Sequence, residues 1–149
     1  LGTATASSIC MWFYKNSSNT QYFTDGRNDG GDWFLSNYQS QNITWENSLT
    51  YNFSGTYNGS DPSFLNQWIH MVVCSDSSGS KLYLNGYEVT PIGSATVDED
   101  FGINYRIGTR YTTSAEWTGY MGPIFFYNKK LNAAEVFQNY CAHKSRFGL

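Results

Sequence analysis

Hydrophobic and polar positions divide the chain into short blocks. Ser8-Ile9-Cys10-Met11-Trp12-Phe13-Tyr14-Lys15 is apolar at consecutive positions, which predicts a central strand buried on both faces between two layers. Asn16-Ser17-Ser18-Asn19 breaks it. Thr20-Gln21-Tyr22-Phe23-Thr24-Asp25 and Trp33-Phe34-Leu35-Ser36-Asn37-Tyr38 read as the arms of a hairpin, and Ile43-Thr44-Trp45-Glu46 as a third strand after a polar turn from Gln39 to Asn42. From Leu49 to Leu65 the chain is rich in Gly, Asn, Ser and Tyr, with Asp61-Pro62 near its end. A surface loop with one short strand is expected there, offering Tyr51, Phe53 and Tyr57.

Gln67-Trp68-Ile69-His70-Met71-Val72-Val73-Cys74 is the plainest strand. It leads through the turn Asp76-Ser77-Ser78-Gly79-Ser80 into Lys81-Leu82-Tyr83-Leu84. Asn85-Gly86 then supplies a type I′ turn into Tyr87-Glu88-Val89, because both central positions of that turn require positive φ. Further strands are predicted at Tyr105-Arg106-Ile107-Gly108 and Gly119-Tyr120-Met121-Gly122-Pro123-Ile124-Phe125-Phe126-Tyr127. Only the C-terminal stretch has helical spacing. Asn132 is its N-cap, Glu135 completes a capping box, and Ala133, Val136, Phe137 and Tyr140 recur at helical intervals before Phe147-Gly148. One helix on an all-β body is a cap and not part of a βαβ series.

Composition agrees. Charged residues make up 14% of the 149 and aromatic residues 18%, the balance of a β-protein whose rings pack on pleated surfaces and whose Gly, Asn, Asp and Ser form turns. That length suits a single domain with one core. A net charge of −3, from 12 acids against 9 bases, with no Lys/Arg run, excludes a phosphate-neutralising surface, so nucleic acid is not expected as a partner. No apolar stretch is long enough for a membrane span, and no signal peptide is visible. Cys10, Cys74 and Cys141 lack zinc-site spacing, leaving three buried thiols or one disulfide with a spare thiol.

In this order, Ile9 to Tyr14, Trp68 to Val73, Gly79 to Gly86, Ile107-Gly108, Gly119 to Gly122 and Phe126-Tyr127-Asn128-Lys129-Lys130-Leu131-Asn132-Ala133-Ala134-Glu135-Val136 resemble the concanavalin A-like lectin and glucanase superfamily, in its laminin G-like, pentraxin-like branch. The resemblance covers nearly the whole chain. It implies an all-β, antiparallel two-sheet β-sandwich (jelly roll) with one short C-terminal helix, spanning 1–149. The usual opening strand of the family is missing before Leu1, which implies a piece of a longer chain. The ending from Leu131 to Tyr140, followed by Lys144-Ser145-Arg146-Phe147-Gly148-Leu149, is similar to endings of such domains in bacteriophage and other virion structural proteins. Together these imply a non-catalytic binding or structural module on a virion or in the extracellular space. Other structural subunits, cell-surface glycans and further copies of the chain are the partners expected. A calcium-dependent lectin is the alternative, and a glucanase a third reading.

Candidate chemistry follows from residue types. Glycoside hydrolysis needs two carboxylates facing each other across the scissile bond. The resemblance would place them as Glu-x-Asp-x-x-Glu on one strand, and no such pattern occurs. Asp98-Glu99-Asp100 are consecutive and point alternately, so a solvated loop is expected there, with a cation site as the alternative. A Gly-x-Ser-x-Gly elbow is absent and only His70 and His143 could serve as bases. Calcium, held at the sandwich rim in the resembled family, would find Asp25, Asn28, Asp29 and Asp32 along one loop, although a plain Gly/Asp turn has the same look. For sugar stacking the candidates in or beside loops are Trp33, Tyr38, Trp45, Tyr57, Tyr111 and Trp117, each also a candidate for core packing. Alternation places Trp68, His70, Val72 and Cys74 on one strand face, with Trp68 as a core anchor and His70 as its hydrogen-bonded edge. Asn-x-Ser/Thr sequons at Asn16, Asn42, Asn52 and Asn58 are what a chain rich in these residues contains by chance.

Overall fold

The computed structural model describes residues 3–4, 6–26, 33–38, 42–47, 50–53, 65–89, 99–100, 106–112 and 115–149. Its strands are β1 (Thr3–Ala4), β2 (Ala6–Lys15), β3 (Gln21–Asp25), β4 (Trp33–Tyr38), β5 (Asn42–Asn47), β6 (Thr50–Phe53), β7 (Trp68–Asp76), β8 (Gly79–Leu84), β9 (Tyr87–Val89), β10 (Glu99–Asp100), β11 (Arg106–Ile107) and β12 (Gly119–Tyr127). Helix α1 (Ala133–His143) and a 3₁₀ turn (Lys144–Phe147) follow. Two five-stranded sheets, ordered β12-β2-β7-β8-β9 and β11-β3-β4-β5-β6, carry the fold, and β1 pairs with β10. Every pairing is antiparallel. This is a jelly-roll-type β-sandwich with one C-terminal helix.

The first sheet is buried on both sides because its central strands alternate between two apolar sets. Ile9, Met11 and Phe13 of β2, Ile69, Met71 and Val73 of β7, and Leu82 and Leu84 of β8 meet Phe23 and Ile43 of the other sheet in the inner core. The intervening Cys10, Val72, Cys74 and Tyr83 face outward and meet Leu131 and Val136 in an outer core beneath α1. The continuous apolar run at 8–15 thus has the cause expected of it, a layer on each face.

Helix α1 starts where the capping box forms. Asn132 accepts from the Glu135 amide, and Glu135 accepts from the Asn132 amide, both at 3.0 Å. Its approach is tied to β2 by Ser8, whose hydroxyl donates to Lys129 O at 2.7 Å and accepts from Leu131 N at 2.9 Å. The Asn85-Gly86 turn has φ of 50° and 86°, as a type I′ hairpin demands. A Cβ on Gly86 would stand 3.0 Å from the rings of both Phe137 and Tyr140, so this turn also needs glycine to pass beneath the helix. In β12 the register jumps between Met121 and Ile124, a bulge at Gly122-Pro123 on an edge strand, where proline costs no ladder hydrogen bond.

Three expectations change. Glu99 and Asp100 are not loop residues but pair with Ala4 and Thr3, a two-residue contact too short to show in a hydrophobic pattern. Cys141 is exposed on α1 while Cys10 and Cys74 are buried, and all three are free thiols. Trp68 is only half-buried, because it stands at the strand's start on the outward face, beside the 3₁₀ turn and outside the two-sheet core.

Candidate functional site

The edge where β3 meets β11 carries several candidate residues. Asp25 is fully buried, and its Oδ2 accepts from the Tyr111 amide at 3.0 Å, fastening the 110–112 segment to the end of β3. The Arg110 guanidinium lies over the rings of Tyr111 (5.3 Å) and Tyr22 (5.8 Å). Trp117 packs against Phe13 and Phe23 at 5.5 and 4.6 Å and belongs to the margin of the inner core. Trp33 and Trp45 stand in β4 and β5 at positions of the same register parity as the buried Ile43, and Tyr38 at the opposite parity. Tyr57, Asn28, Asp29 and Asp32 lie outside the described residues. Of the loop's four oxygen-bearing residues the structure therefore describes Asp25 alone, in a structural, hydrogen-bonded role.

Among the described residues nucleophilic chemistry has one geometric opening. Cys10 Sγ and His70 Nε2 are 3.1 Å apart, on adjacent strands of the outer core. Burial pushes the Cys10 thiol up to about 12, and burial, then repulsion from His143, brings the His70 imidazole down to about 4. A reactive cysteine needs the reverse, a thiolate beside an imidazolium in an accessible, electropositive site. Both residues are almost wholly buried, and the His70 amide is held by Asn85 Oδ1 at 3.0 Å. The pair is a neutral, structural contact.

A cavity of about 370 Å³ lies between the β7–β8 turn and the start of α1. Its charges are spent within the fold: Lys130 Nζ donates to Asp76 Oδ1 and Gly79 O, and Lys81 pairs with Glu88. The hydrogen bond from Lys130 holds the Asp76 carboxyl down at about 2. This arrangement anchors the segment entering the helix.

The outward face of the first sheet offers a different surface. Register places Tyr120 opposite Tyr14, and Tyr14 opposite Trp68, across β12, β2 and β7. Their rings form a triangle with centroid separations of 5.6 Å (Tyr14–Tyr120), 5.8 Å (Tyr14–Trp68) and 6.4 Å (Trp68–Tyr120). Tyr120 is 64% exposed, while Tyr14 and Trp68 are half-buried. Behind them Phe147 packs on Trp68 at 4.6 Å and stacks on Trp12 at 4.3 Å. A Cβ on Gly122 would sit 2.8 Å from the Trp12 Cβ and 3.1 Å from the Phe147 ring, so the bulge glycine makes room for this stack. None of the three was among the stacking candidates chosen from loops. The available signal was the aromatic at each strand end, which alternation assigns to a face only once the pairing is known.

A laminin G family profile, described as that of the concanavalin A-like lectin/glucanases superfamily, matches residues 1–137. The chain belongs to this superfamily. Solved structures share the lectin-like fold. A Bacteroides ovatus protein described as a candidate carbohydrate binding protein superposes with a TM-score of 0.72 at 12% identity, covering 91% of this chain and 41% of that one. The receptor binding domain of botulinum neurotoxin mosaic serotype C/D gives 0.65 at 17% identity, over 93% of this chain and 37% of that one. The heptameric SAP-like pentraxin of Limulus polyphemus gives 0.64 at 15% identity, over 92% and 70%. This superfamily member thus spans less than half the length of the first two. No curated protein matches it by sequence.

Proposed function

We propose that the chain is a non-catalytic carbohydrate-binding module of the laminin G-like type. Superfamily membership over residues 1–137 carries this reading, and the shared fold with a candidate carbohydrate binding protein supports it. The sequence lacks the Glu-x-Asp-x-x-Glu pattern, and the buried Cys10–His70 pair is held neutral. Recognition would rest on ring stacking plus directed hydrogen bonds. A glycan array probed at high protein concentration tests it: binding to at least one glycan class, without turnover, is expected. Hydrolysis of any polysaccharide that one Asp or Glu substitution abolishes would make the chain an enzyme.

Calcium dependence is the second reading, favoured by Asn28, Asp29 and Asp32 along the loop that follows Asp25, which is itself buried and bound to the Tyr111 amide. Loss of glycan binding in EDTA and its return with calcium would establish it, and chelator-insensitive binding would remove it. We also infer a place on a virion or other extracellular assembly, with contacts to structural subunits or further copies. The C-terminal resemblance to virion proteins supports the first. An oligomeric pentraxin among the fold's relatives supports self-association. Among the described residues no helix is long and apolar enough to cross a membrane.

A further inference from the structure

We infer that the Tyr14–Trp68–Tyr120 triangle on the helix-bearing face is a stacking subsite for a single neutral pyranose ring, an inference that rests on the carbohydrate-binding reading above. Three observations converge on it. The rings are presented and not merely left over: Tyr120 is 64% exposed at the sheet edge, and Trp68 is backed by Phe147, itself stacked on the fully buried Trp12. A platform held this way loses little rotamer freedom on binding, which is where much binding energy is otherwise lost. Phe147 lies beyond the residues matched by the family profile, so this support belongs to this chain's own C-terminal segment.

The rim has the second ingredient of sugar recognition. At the ends of β2 and β12 and the start of β7 the triangle is bordered by the exposed Asn16, Asn66 and Thr118 and the half-buried Gln67, the Thr118 hydroxyl being taken up by the Gln21 side-chain amide. The first three are fixed by backbone hydrogen bonds, Asn16 N to Thr118 O at 3.4 Å and Asn66 N to Lys15 O at 2.8 Å. Asn66 has φ of 59°, a left-handed conformation that asparagine tolerates better than most residues. Side-chain amides of Asn16, Asn66 and Gln67 around aromatic rings complement a sugar, whose C–H face is apolar and whose hydroxyls need directed partners.

Charge and size narrow the ligand. Among the described residues the rim, formed by Asn16, Asn66, Gln67 and Thr118, carries no formal charge, and the neighbouring Arg146 guanidinium is turned over the Phe147 ring at 5.9 Å. An acidic sugar gains nothing specific here. A protein partner needs about 800 Å² of matched surface per side. The triangle is three mutually packed side chains edged by polar groups, with Tyr120 the most open ring, which limits it to about one sugar.

The test titrates the whole chain with hexasaccharides of glucose, galactose, mannose and N-acetylglucosamine by calorimetry. It compares wild type with Tyr120→Ala, Trp68→Phe and, on β9, Tyr87→Ala, which removes a ring 67% exposed elsewhere. Melting temperatures verify that each variant is folded, and Tyr120, being exposed, tolerates truncation. The expected result is roughly tenfold weaker binding (about 1.4 kcal/mol) for Tyr120→Ala, a smaller loss for Trp68→Phe and no change for Tyr87→Ala. Wild-type binding that Tyr120→Ala and Trp68→Phe leave intact overturns the subsite while the carbohydrate reading stands. No binding of any of these neutral hexasaccharides by wild type at millimolar concentration overturns the subsite, and if the glycan array is empty as well the carbohydrate reading falls with it.

Discussion

The two faces of the β12-β2-β7-β8-β9 sheet are built from alternate residues of the same strands, yet they differ in chemistry. The inner face is aliphatic and phenyl at its centre, where Ile9, Met11, Phe13, Ile69, Met71 and Val73 pack, and the same alternation ends on Lys15, fully buried, its ammonium brought down to about 8 by burial. The outer face sets Cys10, Trp12, His70 and Tyr83 under a helix, with Tyr140 and Phe147 completing an aromatic seam. A face that meets a second sheet interdigitates branched side chains, whereas one that meets a single narrow helix must fill wider gaps, which rings do. Both layers keep polar atoms without partners: among the described residues, Trp12 Nε1 and His70 Nδ1 on the outer face and Trp117 Nε1 at the margin of the inner core are buried and unpaired. The apolar centre of the inner layer carries no ionisable group, whereas the outer layer is built around His70 and leans on the C-terminal segment, so its stability depends on acid pH and on that segment.

The largest effect should separate the layers directly. Trp12→Ala removes the ring that contacts His70, Tyr140 and Phe147 and is expected to cost about 3–5 kcal/mol, as is typical of a buried large aromatic. Its neighbour Met11→Ala should cost about 2–5 kcal/mol from the other face. Hydrogen exchange distinguishes them: Trp12→Ala should expose the amides of 133–147 before the strands open, while Met11→Ala should lower protection throughout. Equal patterns would mean that the helix is not a separable layer.

Next in size is the acid limb. Burial lowers the His70 pKa from 6.5 in the unfolded chain to about 4. Above pH 6.5 both states are neutral. As pH falls from 6.5 toward 4 only the unfolded chain takes up the proton, so stability drops by up to about 3 kcal/mol, and below 4 this contribution levels off. His70→Gln should flatten urea-denaturation midpoints across that window, and an unchanged slope would assign it to another group. Asp76 acts lower: its stabilisation, present above 3.8, is lost as pH falls toward 2.

The smallest effect lies outside both layers. The Lys81–Glu88 pair is 2.9 Å long but nearly half exposed on both sides, so Glu88→Ala should change stability by less than about 1 kcal/mol. A larger loss, read by the same denaturation, would show that the β8–β9 hairpin contributes more to the outer layer than its exposure indicates.

Much of the architecture was legible in the chain. The arms at 33–38 and 119–127, the Asn85-Gly86 hairpin and the Asn132/Glu135 capping box stand where the pattern placed them, because each is encoded by residues close in sequence. The β1–β10 contact was not legible, since two residues make no period. The site was less accessible still. Loop aromatics were a reasonable place to look, yet Trp117 serves the inner core, and the exposed triangle comes from three strand ends remote in sequence.

By itself the sequence determined the all-β class, the positions of most strands, the capped helix and the absence of a Glu-x-Asp-x-x-Glu pattern, because periodicity, turn chemistry and motif spacing are local properties. Only the tertiary structure decided which apolar face of β2 and β7 meets a sheet and which meets a helix. It also decided that Cys10 and His70 touch as a neutral pair, and that Tyr14, Trp68 and Tyr120 share a corner. Those facts depend on strand order and register, which are set by long-range pairing and by the packing of Phe147 onto Trp12.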